Sequence, residues 1–321
     1  MQPSLLRQPA PVRPLPRDPL LGELLRGLTA ARKRLPAKYF YDARGSALFE
    51  EITRLPEYYL TRTEHSIMDA GIGEMAQAIG ARACMIEPGS GSGEKAEQLL
   101  AALVDPVAFV PVEVASDHLA SSVRRLRLRF PDLEILPVDA DFTRRWVMPR
   151  TRSAPRCSFV FFPGSTIGNL SPDAAARLLA SFRCHAALAL VGVDLRKDES
   201  VLLPAYNDAS GVTARFNLNM LRRLNREYGA SFSLRRFRHL ATWDAQQGRM
   251  QMFLVSTCDQ EVSVAGRRLS FAAGETIHTE DSWKPTPEGF AAIARQGGWK
   301  VAELWTDQRR WFGVHLLTPQ D

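Results

Sequence analysis

The residue pattern with the clearest chemical meaning is a glycine-rich stretch at residues 82–95, RACMIEPGSGSGEK. An apolar run ends there at Glu87, and glycines follow at positions 89, 91 and 93, directly before a helix-forming segment. Glycine lets backbone N–H groups approach a ligand at a helix N-terminus, so the order strand, glycine turn and helix predicts a cofactor cradle. Such a turn alone is weak evidence, because many glycine turns are only tight connections.

Acidic residues follow the next two predicted strands and strengthen this prediction. Glu113 lies 24 residues after Gly89, where a carboxylate accepts hydrogen bonds from the ribose hydroxyls of an adenosine-bearing cofactor. Asp141 and Phe142 follow the third strand and offer an acid for the adenine amino group and a ring to stack on the base. The ordered set favours S-adenosylmethionine over NAD, because the glycine spacing is GxGxG rather than GxGxxG. A P-loop is disfavoured, because GSGEKA lacks the adjacent Gly-Lys-Ser/Thr.

A polar loop, GSTIGNL, follows the fourth predicted strand and begins at Gly164. Asn169 in this loop offers both a donor and an acceptor, which suits a substrate carboxylate or amine. Its alternative role is to cap the next helix, although Ser171 before Pro172 fits that role better. The loop is therefore a candidate substrate-binding element.

The elements that must position these residues alternate between strand and helix. The segments 107–114, 133–138, 157–164 and 186–194 are apolar and predict strands that are buried on both faces. This pattern predicts an α/β class chain with a Rossmann-like, doubly wound parallel sheet. Ligands of such sheets bind at the carboxyl ends of the strands, where the candidate residues and Asp194 lie.

The alternation is interrupted by residues 200–284, which mix a long helix with strands such as RMQMFLVSTC and RLSFAAGETIHTE. We expect a cofactor-binding methyltransferase-type domain of residues 62–199 plus 285–321, ending in an antiparallel strand pair. A second, substrate-binding α+β domain combines residues 20–61 with the insertion 200–284. Residues 1–19 are expected to form a flexible tail, with a transit peptide as the alternative.

The segment 38–64 is dense in aromatic residues, which form either core or pocket wall: Tyr39, Phe40, Tyr41, Phe49, Tyr58 and Tyr59. A solvent-facing aromatic cluster is costly, because each ring leaves a large apolar surface in water. Burial in the core is the default interpretation for any single ring.

The composition limits the classes of function that the chain can have. The net charge of +6 raises the question of nucleic acid, but the arginine cluster at 123–130 alternates with apolar residues and indicates an amphipathic helix with a solvated basic face. The four cysteines are scattered and indicate neither a metal site nor disulfides. No apolar run approaches the ~20 residues that span a bilayer. We expect a cytoplasmic monomer that acts on a small molecule and binds neither nucleic acid nor membrane.

Five motifs in order resemble the histidine-specific Nα-methyltransferases of ergothioneine biosynthesis. They are FYDARGSALFEEITRLPEYY-TRTE, EPGSGSGEK, GSTIGNLSP, AYNDASGVTARFN and GETIHTEDSWK, and the resemblance covers the chain from about residue 36 onward. It implies three successive methyl transfers from S-adenosylmethionine to the α-amino nitrogen of free L-histidine, which give hercynine. The alternatives are an N-methyltransferase of the same fold for another amino acid or amine, and, from another class, a nucleic-acid-binding or -modifying protein.

The resemblance also implies site residues at the matching positions. The implied cofactor-binding residues are Gly89, Ser90, Gly91, Lys95, Glu113, Asp141 and Phe142. The implied substrate-binding residues are Tyr58, Gly164, Asn169, Tyr206, Thr213, Met252, Glu280 and Ser282. No metal is implied. Glu113 departs from the family's frequent Asp, and Pro88 replaces an apolar residue before the first glycine; both changes are tolerable, since Glu keeps two acceptor oxygens.

Chemistry supports the assignment of Glu280 and Ser282 to the imidazole ring. A neutral imidazole has one N–H donor and one acceptor nitrogen. Residues two apart on a strand share a face, so this carboxylate and hydroxyl are placed to meet both nitrogens. The alternative is a surface Glu and Ser on an edge strand. For catalysis we assign Asn169 to positioning and Tyr41 as the hydroxyl that receives released protons, without a dedicated general base.

Overall fold

The computed structural model describes residues 19–91, 93–114 and 117–320, so the predicted tail lies outside the described residues except for its last residue. The α-helices of the described chain are α1 Pro19–Thr29, α2 Ala43–Thr53, α3 Tyr59–Ile79, α4 Glu94–Ala102, α5 Asp117–Arg129, α6 Pro172–Phe182, α7 Glu199–Tyr206, α8 Val212–Tyr228 and α9 Pro287–Gln296. Short 3-10 helices cover Ala37–Phe40, Thr166–Asn169 and Leu234–Arg236.

The strands are β1 Lys33–Arg34, β2 Ala83–Pro88, β3 Ala108–Glu113, β4 Glu134–Ile135, β5 Val138–Asp139, β6 Cys157–Phe162, β7 Leu188–Asp194, β8 Phe237–Asp244, β9 Arg249–Ser256, β10 Gln260–Val264, β11 Arg267–Phe271, β12 Thr276–Trp283, β13 Trp299–Thr306 and β14 Phe312–Pro319. In the described chain they form three sheets. Strand order in the large sheet is β13-β14-β7-β6-β2-β3-β4, with β5 also paired to β3.

The large sheet is doubly wound, as predicted. β2 pairs in parallel with β3 on one side and with β6 on the other, so the chain reverses its winding direction at β2. At one end β14 pairs antiparallel with β7, and β13 pairs antiparallel with β14 to form the edge. In such sheets a crevice opens at the carboxyl ends of the strands where the winding reverses. The turns that follow β2 and β6 therefore border the expected ligand crevice.

Alternate residues of each central strand enter opposite apolar cores, as the period of two requires. Met85 and Phe159 lie in the core on one face, whereas Ile86 and Val160 lie in the core on the other. All four are completely buried. Burial of both faces explains why these strands are continuous apolar runs rather than alternating ones.

The second sheet has the order β1-β12-β9-β8, and a separate hairpin joins β10 to β11. A third core covers this sheet with α1, α2 and α8 and includes most of the aromatic segment. Phe40 and Phe216 are stacked there with ring centroids 4.4 Å apart. Helix α3 starts in this core at Tyr59 and continues into the core of the large sheet at Ile67. The aromatic segment thus packs with residues 200–284, as predicted.

Some predicted elements differ from the structure. The segment LEILPV forms two short strands, β4 and β5, on either side of Leu136 and Pro137; between them Pro111 of β3 has no N–H to donate to the ladder. RLSFAAGETIHTE is divided into β11 and β12 by a turn in which Gly274 has a φ of +84°. Helix α7 and strand β8 were not predicted individually within the insertion.

Candidate functional site: a cofactor cradle joined to an aromatic pocket

The glycine turn after β2 has the backbone that the sequence predicts. Gly89, Gly91 and Gly93 all have positive φ, and Gly93 lies directly before α4. Two polar side-chain atoms at this turn, Glu87 Oε2 and Ser90 Oγ, are buried without a hydrogen-bond partner in the described part of the chain. Unpaired buried polar atoms beside a helix N-terminus fit a polar ligand.

Phe142 lies against this turn. A β-carbon added at Gly89 would lie 3.2 Å from the Phe142 ring, so the glycine allows the ring to approach the backbone. Asp141 Oδ1 accepts the backbone N–H of Thr143 at 3.0 Å, which fixes the turn that carries Phe142. Glu113 ends β3 beside β2 and accepts the Val114 N–H at 3.0 Å. The predicted adenosine-binding residues therefore lie around one crevice.

Lys95 was expected to bind the cofactor directly, but its side chain is paired with a carboxylate of the protein. Its ammonium forms an ion pair with Glu64, whose side chain is 1% exposed. Glu64 also accepts the Gly164 N–H at 2.9 and 3.0 Å and fills the space above Gly192. Glu64 thus ties the glycine turn to the loop after β6. Sequence reasoning assigned it no role, although it ends the first matched motif.

Carboxylates outnumber the ammonium group at this end of the crevice. Burial raises the pKa of Glu87 well above its ordinary value; Lys95 opposes this shift, whereas Glu113 and Glu64 add to it. A cationic ligand such as a sulfonium relieves this repulsion between carboxylates. The residues present therefore fit S-adenosylmethionine.

Glu280 and Ser282 both lie on β12, and Glu280 is directly opposite Met252 of β9. Burial raises the pKa of Glu280 to about 7; Lys284 opposes this shift, and Asp281 adds to it. Glu280 is nevertheless only half-buried. A carboxylate in this setting gains from a ligand that donates a hydrogen bond to it.

Aromatic side chains of the N-terminal segment lie near enough to Glu280 for its charge to affect the pKa of Tyr41 and Tyr58. Phe49 makes edge contacts with Tyr41 and Tyr58 at centroid distances of 5.9 and 6.1 Å. Burial raises the pKa of Tyr58 well above its ordinary value, with further contributions from Tyr206, Tyr41 and Glu280. Tyr206 is bonded to Ser282, two residues from Glu280 on β12. Tyr41 and Tyr58 both contact Phe49, so the three tyrosines and the carboxylate lie in one region of the structure. Tyr41 is 44% exposed and forms its open side.

The loop after β6 meets β12 at the same pocket. A β-carbon added at Gly168 would lie 2.9 Å from the Trp283 carbonyl oxygen and 3.7 Å from Ser282 Oγ. Asn169 therefore lies beside the strand that carries Glu280, rather than on the opposite side of the molecule. Its alternative role as a helix cap is taken by Ser171, whose hydroxyl accepts the Ala174 N–H.

Two other predicted substrate residues are placed by α7 and α8. Tyr206 is buried at the end of α7 and donates its hydroxyl hydrogen to Ser282 Oγ at 2.8 Å. His239 Nε2 lies 2.8 Å from the Tyr206 carbonyl oxygen and holds this end of the helix. Thr213 is buried in the first turn of α8, where its N–H donates to Asp208 at 2.7 Å.

Behind the pocket lies a buried charge cluster that sequence reasoning missed. Asp194 at the end of β7 forms ion pairs with Lys284 at 2.7 Å and Lys197 at 2.6 Å. The Tyr59 hydroxyl donates to the same carboxylate at 2.8 Å. Although burial opposes ionisation of Asp194, the two ammonium groups hold its pKa below the ordinary value. Asp194 was recognised only as a strand end, and Lys284 closes the last matched motif without an assigned role.

The doubly wound sheet, the glycine cradle and the acid after β3 define an S-adenosylmethionine-dependent methyltransferase with a Rossmann-like fold. A family model described as histidine-specific methyltransferase, SAM-dependent, matches residues 20–319. The chain therefore belongs to the family of histidine-specific, S-adenosylmethionine-dependent methyltransferases.

Relatives of known function agree with this family. A histidine N-alpha-methyltransferase of Mycolicibacterium smegmatis is 41% identical over 307 residues, which cover 93% of this chain and 94% of the relative. A protein with the same name from Mycobacterium tuberculosis is 39% identical and covers 92% and 94% of the two chains. Ergothioneine biosynthesis protein 1 of Neurospora crassa is 31% identical over 89% of this chain and 33% of that longer protein.

Proposed function

We propose that the chain transfers three methyl groups in succession from S-adenosylmethionine to the α-amino nitrogen of free L-histidine, and so forms hercynine for ergothioneine biosynthesis. The observation that carries the proposal is the pairing of Glu280 and Ser282 on β12, within the pocket that Tyr41, Tyr58 and Tyr206 surround. Carboxylate and hydroxyl suit the two nitrogens of a neutral imidazole. A site built to hydrogen-bond a ring N–H rejects analogues without it by about 10⁴-fold.

The cradle residues would hold the cofactor as their positions suggest. Gly89, Ser90 and Gly91 would contact it through the turn, Glu113 would accept from the ribose, and Asp141 with Phe142 would bind the adenine. Lys95 would act on the cofactor site indirectly, through its ion pair with Glu64. Bound S-adenosylmethionine supplies an electrophilic methyl group on a positively charged sulfur.

The substrate-side residues would position the α-amine. We propose that Tyr58, Asn169 and Tyr206 hold the amino-acid end, with Gly164 bordering the transfer point and Met252 packing on the imidazole. Thr213 would support this wall from α8. Because transfer needs a neutral amine in line with the methyl group, orientation is the main contribution of these residues.

Proton handling needs no strong base. Burial raises the pKa of Tyr41, and Glu280, Glu113 and Tyr206 raise it further. An ionised Tyr41 is therefore disfavoured, and we propose that its neutral hydroxyl passes released protons to water. The rings of Tyr41, Phe49 and Tyr58 would stabilise the growing methylated cation through cation–π contact.

We propose further that the chain comprises two domains, residues 62–199 plus 285–321 and residues 20–61 plus 200–284, because each combination has its own sheet. None of the helices in the described part of the chain is long and apolar enough to cross a membrane. We propose that the protein acts in the cytoplasm as a monomer on a small molecule, without nucleic acid.

Steady-state kinetics with a panel of free amino acids tests the substrate. L-Histidine should be strongly preferred, and Glu280→Ala should raise the histidine KM steeply while S-adenosylmethionine binding stays intact. An unchanged KM would refute the role of Glu280. Calorimetric titration of RNA and of histidine in the presence of S-adenosylhomocysteine tests the alternative class: salt-dependent RNA binding without a histidine signal would favour a nucleic-acid function.

A further inference from the structure

Lys284 is fully buried and directs its ammonium group at three oxygen atoms. It lies 2.7 Å from Asp194 Oδ2, 2.7 Å from the Tyr206 hydroxyl and 2.8 Å from Ser282 Oγ. An ammonium group has three N–H donors and no acceptor. All three donors are therefore used, and both hydroxyl oxygens must accept from Lys284.

The bond between the two hydroxyls then determines what the pair can offer a ligand. The Tyr206 hydroxyl and Ser282 Oγ lie 2.8 Å apart, and the phenol donates because it is the more acidic of the two hydroxyls. Ser282 Oγ thus accepts twice, from Lys284 and from Tyr206, which uses both of its lone pairs. Its own hydroxyl hydrogen is left to donate. A hydroxyl that otherwise switches freely between donor and acceptor is held as a donor by the buried charge behind it.

We propose that Lys284 is a positioning residue that fixes Ser282 as a hydrogen-bond donor, so that the site selects a neutral imidazole with its acceptor nitrogen toward Ser282 and its N–H toward Glu280. This inference rests on the proposed function, since it assigns Ser282 and Glu280 to the ring. An imidazolium, or a neutral ring whose N–H lies on the Ser282 side, directs a donor at the Ser282 hydroxyl, which is itself held as a donor. Such a ring is rejected, because two donors cannot form a hydrogen bond. Selection of the ring's hydrogen-bonding pattern thus depends on a residue that does not touch the ring.

Lys197 provides a matched control. Both lysines form an ion pair with Asp194, and both are almost completely buried. Only Lys284 contacts the Tyr206–Ser282 pair; Lys197 instead donates to the Tyr59 hydroxyl at 2.8 Å. Replacement of either lysine by Met leaves Asp194 with one remaining ammonium partner, so the buried carboxylate keeps an opposite charge in both variants.

The test measures binding by calorimetry with S-adenosylhomocysteine present, for L-histidine and two ring analogues. 3-(Pyrrol-2-yl)alanine carries only a ring N–H, at the position of histidine Nδ1, and 3-(thiazol-5-yl)alanine carries only an acceptor nitrogen, at the position of histidine Nε2. In Lys284→Met the hydroxyls of Tyr206 and Ser282 regain free lone pairs, so Ser282 is no longer held as a donor toward the ring. The preference for histidine over the pyrrole analogue should therefore fall about tenfold. The preference over the thiazole analogue, which depends on Glu280, should be unchanged, and Lys197→Met should alter neither ratio.

The outcomes separate this inference from the function on which it rests. If the wild-type protein binds no histidine, the proposed function fails. If it binds histidine but Lys284→Met retains the full preference over the pyrrole analogue, or if Lys197→Met loses it equally, the inference about Lys284 is wrong. If Lys284→Met does not fold, Ser282→Ala tests the donor that the proposal requires, because it removes that hydroxyl; an unchanged preference over the pyrrole analogue there overturns the proposal.

Discussion

Glu280→Gln should make the ligand-free protein more stable while it weakens substrate binding. The pKa of Glu280 is raised from 4.5 to about 7 by burial, and such a shift corresponds to about 3 kcal/mol between the two protonation states. Because Glu280 is only half-buried, solvent screening reduces this energy, and we expect its ionised carboxylate to lower the free energy of unfolding by about 1–2 kcal/mol. A carboxylate with a raised folded-state pKa destabilises the fold progressively as pH rises from 4.5 toward 7.

The assay is thermal unfolding without ligands at several pH values, followed by histidine calorimetry. At pH near 8, Glu280→Gln should unfold a few degrees above the wild type, and at pH near 4.5 the two should coincide. The same variant should lose about tenfold in histidine affinity, because an ionised acceptor is replaced by a neutral one. Greater stability combined with weaker binding indicates a residue retained for function rather than for folding.

Asp281→Asn is the control with the opposite sign. Although burial opposes ionisation, His278 and Arg249 hold the pKa of Asp281 below its ordinary value. Its carboxylate therefore stabilises the fold at neutral pH, and this contribution is lost as pH falls through that pKa. Asp281→Asn should lower the stability by about 1 kcal/mol at pH near 8 and leave histidine affinity unchanged. A Glu280→Gln protein that is no more stable than wild type near pH 8, or that binds histidine equally well, would refute the reasoning.

Three further substitutions test other parts of the site. Gly192→Ala places a β-carbon 2.1 Å from Glu64 Oε1, so it should destabilise the protein by about 1–3 kcal/mol in chemical denaturation and weaken cofactor binding; an unchanged cofactor affinity would contradict the role of Glu64. Asp194→Asn removes the counter-charge of two buried lysines and should cost about 3–5 kcal/mol, and a loss below 1 kcal/mol by the same method would show that the cluster is dispensable. Tyr41→Phe keeps the ring and should lower kcat by less than about tenfold with KM unchanged, whereas a loss above 100-fold would identify Tyr41 as a general base.

The sheet and the glycine cradle were predictable because their signals are local. Strands β2 and β6 are continuous apolar runs, and the rule that ligands bind at carboxyl ends of strands then placed Gly89 and Asn169 near each other. The spacing of Glu280 and Ser282 on one strand was equally local. The fold predictions needed only periodicity and turn chemistry, whereas the assignment of Glu280 and Ser282 to the imidazole came from the resemblance to the family.

The buried charges were not predictable in this way. Lys197 lies three residues after Asp194, but Lys284 reaches the same carboxylate only because the end of β12 lies near the end of β7, and nothing in the pattern of either strand specifies that contact. A lysine after a strand is most often exposed, since burial of a charge is costly without a partner. The ion pair of Glu64 with Lys95 could not be predicted either, because the two residues lie on different helices, whose packing the sequence pattern does not specify.

Mass spectrometry of L-histidine incubated with the enzyme and S-adenosylmethionine tests the central claim most directly. We expect products with one, two and three added methyl groups, all on the α-amino nitrogen, with the trimethylated product accumulating at the end. Methylation of an imidazole nitrogen, or no methylated histidine at all in the presence of bound cofactor, would contradict it.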